Sequence, residues 1–248
     1  MPNKGFGEYL VESRRPLTSL AFLAVPLLIY ELGVLTLRSN TILESVDARN
    51  GIDVLLRDLL QSLGFGQYFL LPVLTVGGLL AWHHTTGDPW RVSWGVAWGM
   101  LVECTLLAAV LVVMVAMFGR IAPTAAFQGA AGSEIREWLG KFVTYLGAGI
   151  YEEVLFRLIL LSLCSALIGI VGGSPRTKTI GAVILTSIAF SAAHYLPGGD
   201  TFELYSFSCR IVAGLFFAVL MLRRGFGIAA GTHAGYDILV GILLPNVT

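Results

Sequence analysis

The chain has 248 residues, 56% of them hydrophobic and only 13% charged, with a formal net charge of zero and a mean hydropathy of +0.78. Soluble domains carry about a quarter charged residues, so these values exclude one and describe an integral membrane protein. The 16 Lys and Arg form no long run, which gives no footing for nucleic acid, and the length holds about six to eight membrane helices with short loops.

The first apolar segment, residues 17–37, follows Arg14-Arg15 as the core of a signal peptide would. It is about 20 residues long, enough to span, and no small-residue cleavage site ends it, so it is expected to stay as a first helix. Pro26 breaks it and Glu31 lies inside it. In residues 51–63 the apolar Ile52, Leu55, Leu56, Leu59, Leu60 and Leu63 recur opposite Asp53, Arg57 and Asp58. That pattern predicts a short amphipathic helix lying in the interface. Segment two, residues 67–82, is followed by a polar turn from His83-His84 to Asp88-Pro89. Adjacent histidines in such a turn are expected to be interfacial residues rather than ligands.

Segment three covers residues 92–118 and carries Glu103. Trp90, Trp94 and Trp98 recur every four residues, marking one face at the membrane boundary. A loop of small residues, 120–133, leads to residues 134–141, which are expected to form a second interfacial helix. Segment four spans about 142–171, followed by the breaker Gly172-Gly173-Ser174-Pro175-Arg176. Segment five is 180–194, closed by Tyr195-Leu196-Pro197-Gly198-Gly199-Asp200. Segment six is 202–222 with Arg210 inside it, and segment seven is 228–244 with His233 and Asp237.

The expected architecture is an all-α polytopic membrane domain spanning residues 1–248, a bundle of about seven to eight transmembrane helices with one or two interfacial helices. Cys104, Cys164 and Cys209 lie in three different apolar segments and are read as packing residues. With a cytoplasmic amino terminus, Lys and Arg divide eight against six in favour of the cytoplasmic side, a narrow margin for orientation.

Segment four contains Tyr151-Glu152-Glu153-Val154-Leu155-Phe156-Arg157. Each charge at a bilayer centre costs about 2.5–3.5 kcal/mol on the insertion scale, so three unpaired ones would cost about 8–10 kcal/mol. Such groups are therefore expected to be paired and functional. Glu153 and Arg157 are four apart on one helix face and suited to pair. Glu152 is then the carboxylate left for chemistry, and a desolvated carboxylate is the stronger base. Phe190 and His194 also share a face, as do His233 and Asp237. A carboxylate, an imidazole, and an imidazole backed by an acid suffice to activate water and hold an oxyanion. The same groups admit other readings: each histidine alone is compatible with a core role, and Glu153–Arg157 with a helix-locking pair. Glu31, Glu103 and Arg210 are unassigned, with Arg210 a candidate partner for either acid.

Glu152-Glu153-x-x-x-Arg157, Phe190-x-x-x-His194 and His233-x-x-x-Asp237 resemble, in order and setting, the three motifs of the CAAX protease and bacteriocin-processing family. This family, also called ABI or CPBP, includes the type II prenyl-protein endopeptidases. The resemblance covers about residues 142–240, the expected catalytic core. It implies an intramembrane endopeptidase working through a glutamate-activated water, with no cofactor. Glu152 would be the general base and His194 its partner on the water. His233 and Asp237 would lie where the family stabilises the oxyanion, and Glu153, Arg157 and Phe190 would support them. Asp237 stands where Asn is frequent, so it either donates when protonated or orients His233 when ionised.

A rival mechanism is zinc held by His194, His233 and one of Glu152 or Glu153, a His2Glu set, although the compact HExxH helix is absent. Rival functions are a proton-coupled transporter, for which no inverted repeat is found, and a non-catalytic scaffold or immunity protein of the same fold. The expected partner is a peptide, prenylated in the CAAX case, entering from the bilayer of a prokaryotic cytoplasmic membrane.

Overall fold

A computed structural model describes residues 5–38, 51–62, 64, 70–121, 135–196 and 200–243, and among these residues all regular structure is helical. The start of segment two (67–69), most of the small-residue loop (122–134) and Pro197-Gly198-Gly199 lie outside the described residues. The helices are α1 (Phe6–Glu12), α2 (Pro16–Arg38), α3 (Gly51–Ser62), α4 (Leu70–Thr86), α5 (Trp94–Ile121), α6 (Ile135–Glu153), α7 (Leu161–Ile170), α8 (Pro175–Ala193), α9 (Leu204–Arg224) and α10 (Phe226–Ile238). A π-helical stretch, Val154–Leu160, joins α6 to α7, and another, Leu239–Leu243, extends α10.

Among the described residues, five helical stretches are long and apolar enough to cross a membrane: Pro16–Thr36, Trp94–Phe118, Trp138–Ile170, Leu204–Arg224 and Phe226–Leu243. The protein is thus a multi-pass membrane protein. The remaining long helices are α4, with 17 residues, and α8, with 19 residues.

Three local expectations are revised. Residues 135–141 are not a separate interfacial helix but the first turns of α6, continuous with the stretch carrying Glu152. No Gly or Pro pair interrupts the chain there, so nothing stops propagation. The span from Trp138 to Ile170 has 33 residues, about 50 Å of helix against a hydrocarbon core of about 30 Å. His83 and His84 belong to the last turn of α4, and the break comes at Gly87, whose φ of 68° suits glycine. Ahead of α2 the short helix α1 was not anticipated.

Helix α10 is the centre of the bundle, packing against α6, α5, α9 and α2. Its residues Phe226 to Ala230, Thr232, His233 and Ala234 are buried. Small side chains make this possible, because lipid gives helices no hydrophobic drive and close backbone approach must supply the contact. At Gly149 the approach is closest to the site: a Cβ there would lie 2.4 Å from the Ala234 backbone nitrogen. Trp90, Trp94 and Trp98 are all well exposed on the outer surface, as an aromatic belt requires.

Polar locks tie the outer helices to this core. Arg224 on α9 grips Glu103 on α5 with two hydrogen bonds (2.6 and 2.7 Å), and Tyr9 on α1 donates to the same carboxylate. Arg57 on α3 donates to Glu31 on α2 (3.0 Å), which also accepts from Tyr151. Cys104, Cys164 and Cys209 are free thiols.

Candidate active site

Three elements converge on one buried cluster. The last turn of α6 presents Glu152 and Glu153, and the π-helical stretch that follows presents Arg157. π-helical turns inside α-helices recur at functional sites, and this one begins directly after the paired carboxylates. Helix α8 ends at Ala193 with His194 as its cap. Helix α10 supplies His233 and Asp237.

Glu153 is the hub. It is fully buried, its Oε2 lying 3.2 Å from Arg157 Nε and its Oε1 2.9 Å from His233 Nδ1. A carboxylate accepts, so His233 Nδ1 carries the hydrogen and Nε2 turns to the other side. Arg157, also fully buried, donates through Nη2 to the Gly214 carbonyl (3.0 Å). Its guanidinium lies 4.7 Å from the Phe190 ring centroid and 5.6 Å from that of Phe217. Buried charge is tolerated where a partner, hydrogen bonds and aromatic faces surround it. The Phe217 ring in turn stacks on the His233 imidazole, 4.4 Å away at 15°.

Around Glu152 the geometry is looser. Its Oε2 lies 3.8 Å from His233 Nε2 and 3.9 Å from His194 Nε2. The other nitrogen of His194, Nδ1, is 2.9 Å from the Phe190 carbonyl. A carbonyl only accepts, so Nδ1–H donates and the Nε2 lone pair is turned toward Glu152. Glu152 and His233 are each only 4% exposed, whereas the His194 side chain is 27% exposed. The cluster is thus sealed on the α6 and α10 sides and reachable past α8.

All seven residues singled out in the sequence, Glu152, Glu153, Arg157, Phe190, His194, His233 and Asp237, come together here. Asp237 Oδ2 is 3.5 Å from His233 Nε2, on the Glu152 side, while Glu153 holds the opposite nitrogen, Nδ1. The anticipated pairing of Arg210 with Glu31 or Glu103 is corrected. Arg210 pairs with Asp200 (2.5 Å), while Glu31 and Glu103 take Arg57 and Arg224. Phe217 and the Gly214 carbonyl were missed; nothing in the sequence separates Phe217 from its neighbour Phe216. Among the described residues, no three His, Cys, Asp or Glu side chains are grouped as metal ligands would be.

Comparison with known proteins adds one match. The family model described as type II CAAX prenyl endopeptidase Rce1-like aligns with residues 135–239, a stretch that runs from α6 through α10 and contains every residue of the cluster. No curated protein and no solved structure matches the chain significantly. Over residues 135–239 the chain is thus similar to the Rce1-like, type II CAAX prenyl endopeptidases, a family of proteases.

Proposed function

We propose that this protein is an intramembrane endopeptidase that cleaves a membrane-held peptide, prenylated in the CAAX manner, with a water activated by Glu152. The observation that carries the proposal is the pair of separations between Glu152 Oε2 and the two imidazole Nε2 atoms, 3.8 and 3.9 Å. Such gaps exceed a direct hydrogen bond and suit one bridging water. Held there, the water gives a proton to the Glu152 carboxylate while its oxygen bonds to the scissile carbonyl carbon. His194, fixed by its bond to Phe190, accepts a hydrogen bond from the O–H that the water keeps and so aims the attacking oxygen.

The tetrahedral oxyanion accepts from the protonated Nε2 of His233, whose ring is held by Glu153 below and Phe217 alongside. Asp237 supports that imidazolium. As the C–N bond breaks, protonated Glu152 returns its proton to the leaving amine nitrogen, and the carboxylate is restored. The catalytic core is approximately residues 142–240. With α4 and α8 also crossing, the bundle has seven spans, set in a prokaryotic cytoplasmic membrane.

The test uses purified protein in detergent with a quenched farnesyl-CAAX peptide, with and without a strong chelator. Cleavage that is indifferent to the chelator is the expected result. Loss of cleavage on chelation would transfer the water activation to zinc held by a His2Glu set. No cleavage of farnesylated or plain peptide would leave a non-catalytic protein of the protease fold.

A further inference from the structure

One cluster of polar and aromatic groups beside the catalytic residues is not used by the water chemistry. Tyr195 follows His194 directly, and the Asp200 amide donates to the His194 carbonyl (2.9 Å), which sets Asp200 beside the α8 cap. There Asp200 pairs with Arg210 Nη2 (2.5 Å), and the Arg210 guanidinium lies over the Tyr195 ring, 5.2 Å from its centroid. Phe202 and Phe207 close the group, with ring centroids 5.2 and 6.0 Å from that of Tyr195. On α9, Arg210 shares a face with Gly214, whose carbonyl holds Arg157, and with Phe217, which stacks on His233. Arg210 also lies within electrostatic reach of Asp237.

Two donors in this cluster are buried and have no hydrogen-bond acceptor: Arg210 Nη1 and the Tyr195 hydroxyl. Native proteins rarely leave a buried guanidinium nitrogen unsatisfied, and an unexplained case calls for a missing partner. The partner's chemistry is constrained. It must accept hydrogen bonds, an anion is favoured by the cation, and it must arrive beside apolar aromatic surface. It must also reach this point while a peptide bond lies at Glu152. A CAAX sequence places the prenylated cysteine three residues from the chain end, so the substrate brings its own terminal carboxylate within a few residues of the bond that is cut.

We infer that Arg210, with the Tyr195 hydroxyl, binds the C-terminal carboxylate of the peptide substrate and thereby measures the distance from chain end to scissile bond. The inference rests on the protease reading above. Asp200 fixes the guanidinium by one nitrogen and leaves the other for the substrate, and Tyr195, Phe202 and Phe207 form the wall against which the aliphatic residues lie. A charge-assisted hydrogen bond of this kind is worth about 10- to 100-fold in affinity.

The test compares two farnesylated peptides of the same sequence, one ending in a free carboxylate and one in a carboxamide. Wild type is expected to favour the acid by about 10- to 100-fold in kcat/KM, chiefly through KM. In Arg210→Gln the acid-to-amide ratio falls to about one, and Arg210→Lys, which keeps the charge without the fork, lies between. Damage to the fold lowers both rates and leaves the ratio unmoved, so it does not imitate this result. An acid-to-amide ratio that is unchanged in Arg210→Gln, or already near one in wild type, overturns the inference. The same two peptides are titrated against Glu152→Gln by fluorescence anisotropy. If no peptide is cleaved, the protease reading falls, and the binding ratio still decides: preference for the acid that disappears with Arg210→Gln upholds a carboxylate site, and equal or absent binding overturns it.

Discussion

Replacing Arg157 by Met tests how the buried charges are held. The substitution keeps length and most of the volume but removes the guanidinium 3.2 Å from Glu153 Oε2, and Glu153 is fully buried. Breaking one side of a buried pair costs about 3–5 kcal/mol, mainly because the survivor is stranded. The lost bond to the Gly214 carbonyl and the loss of charge over the Phe190 and Phe217 rings act in the same direction. If stranding is the cause, neutralising the survivor relieves it. The double variant Arg157→Met/Glu153→Gln is expected to recover most of the lost stability, though not activity, since His233 Nδ1 loses its anionic partner. Equilibrium unfolding by SDS titration of the four proteins gives the cycle directly. Near wild-type stability in Arg157→Met, or a double variant no more stable than the single one, would refute the account of this pair.

Two further predictions address the packing and the amino-terminal lock. Gly149→Ala drives a methyl group to 2.4 Å from the Ala234 backbone nitrogen, where no flexible side chain can yield. It is expected to cost about 1–3 kcal/mol and to lower kcat by separating Glu153 from His233; unchanged stability and turnover would contradict the close approach of α6 and α10. Tyr9, outside the spans, has its phenol pushed well above the ordinary tyrosine range by burial and then by the adjacent Glu103 carboxylate. Its folded value is raised, so its contribution to stability is complete below the ordinary value of about 10 and is lost as pH rises above it. A difference absorbance titration against Tyr9→Phe should show the Tyr9 phenolate forming only above the ordinary tyrosine range, with titration moving to lower pH in Glu103→Gln. Ordinary titration of Tyr9 in the wild type would remove the lock.

Much of the site was legible because it is written in local spacing. Glu153 and Arg157 sit four apart, as do Phe190 and His194, and His233 and Asp237, and ionisable groups are rare enough in apolar helices to stand out. Their convergence was legible only through the order of the three motifs. What spacing cannot carry is which distant group each charge meets. Glu103 finds Arg224 121 residues away and Glu31 finds Arg57 across a connection, pairings that depend on how helices rotate about their axes. For the same reason the role of Glu153 was seen only in part: its bond to Arg157 is within one helix, but its bond to His233 spans 80 residues. The π-helical stretch after Glu153 left no mark in the hydrophobic pattern, because every position from Val154 to Leu160 except Arg157 is apolar on all sides. The merging of residues 135–141 into α6 was missed because charged residues on a helix read alike whether the helix lies in the interface or enters the membrane through it.

The central claim is that Glu152 activates the water, and the most direct measurement is turnover by Glu152→Gln under single-turnover conditions with a farnesylated quenched peptide. Gln is isosteric and cannot take a proton, so the rate of bond cleavage is expected to fall by about 10²- to 10⁴-fold, the usual contribution of a positioned general base. Peptide affinity, measured on the same variant, is expected to stay within a few-fold of wild type. Cleavage by Glu152→Gln at close to the wild-type rate would contradict the account.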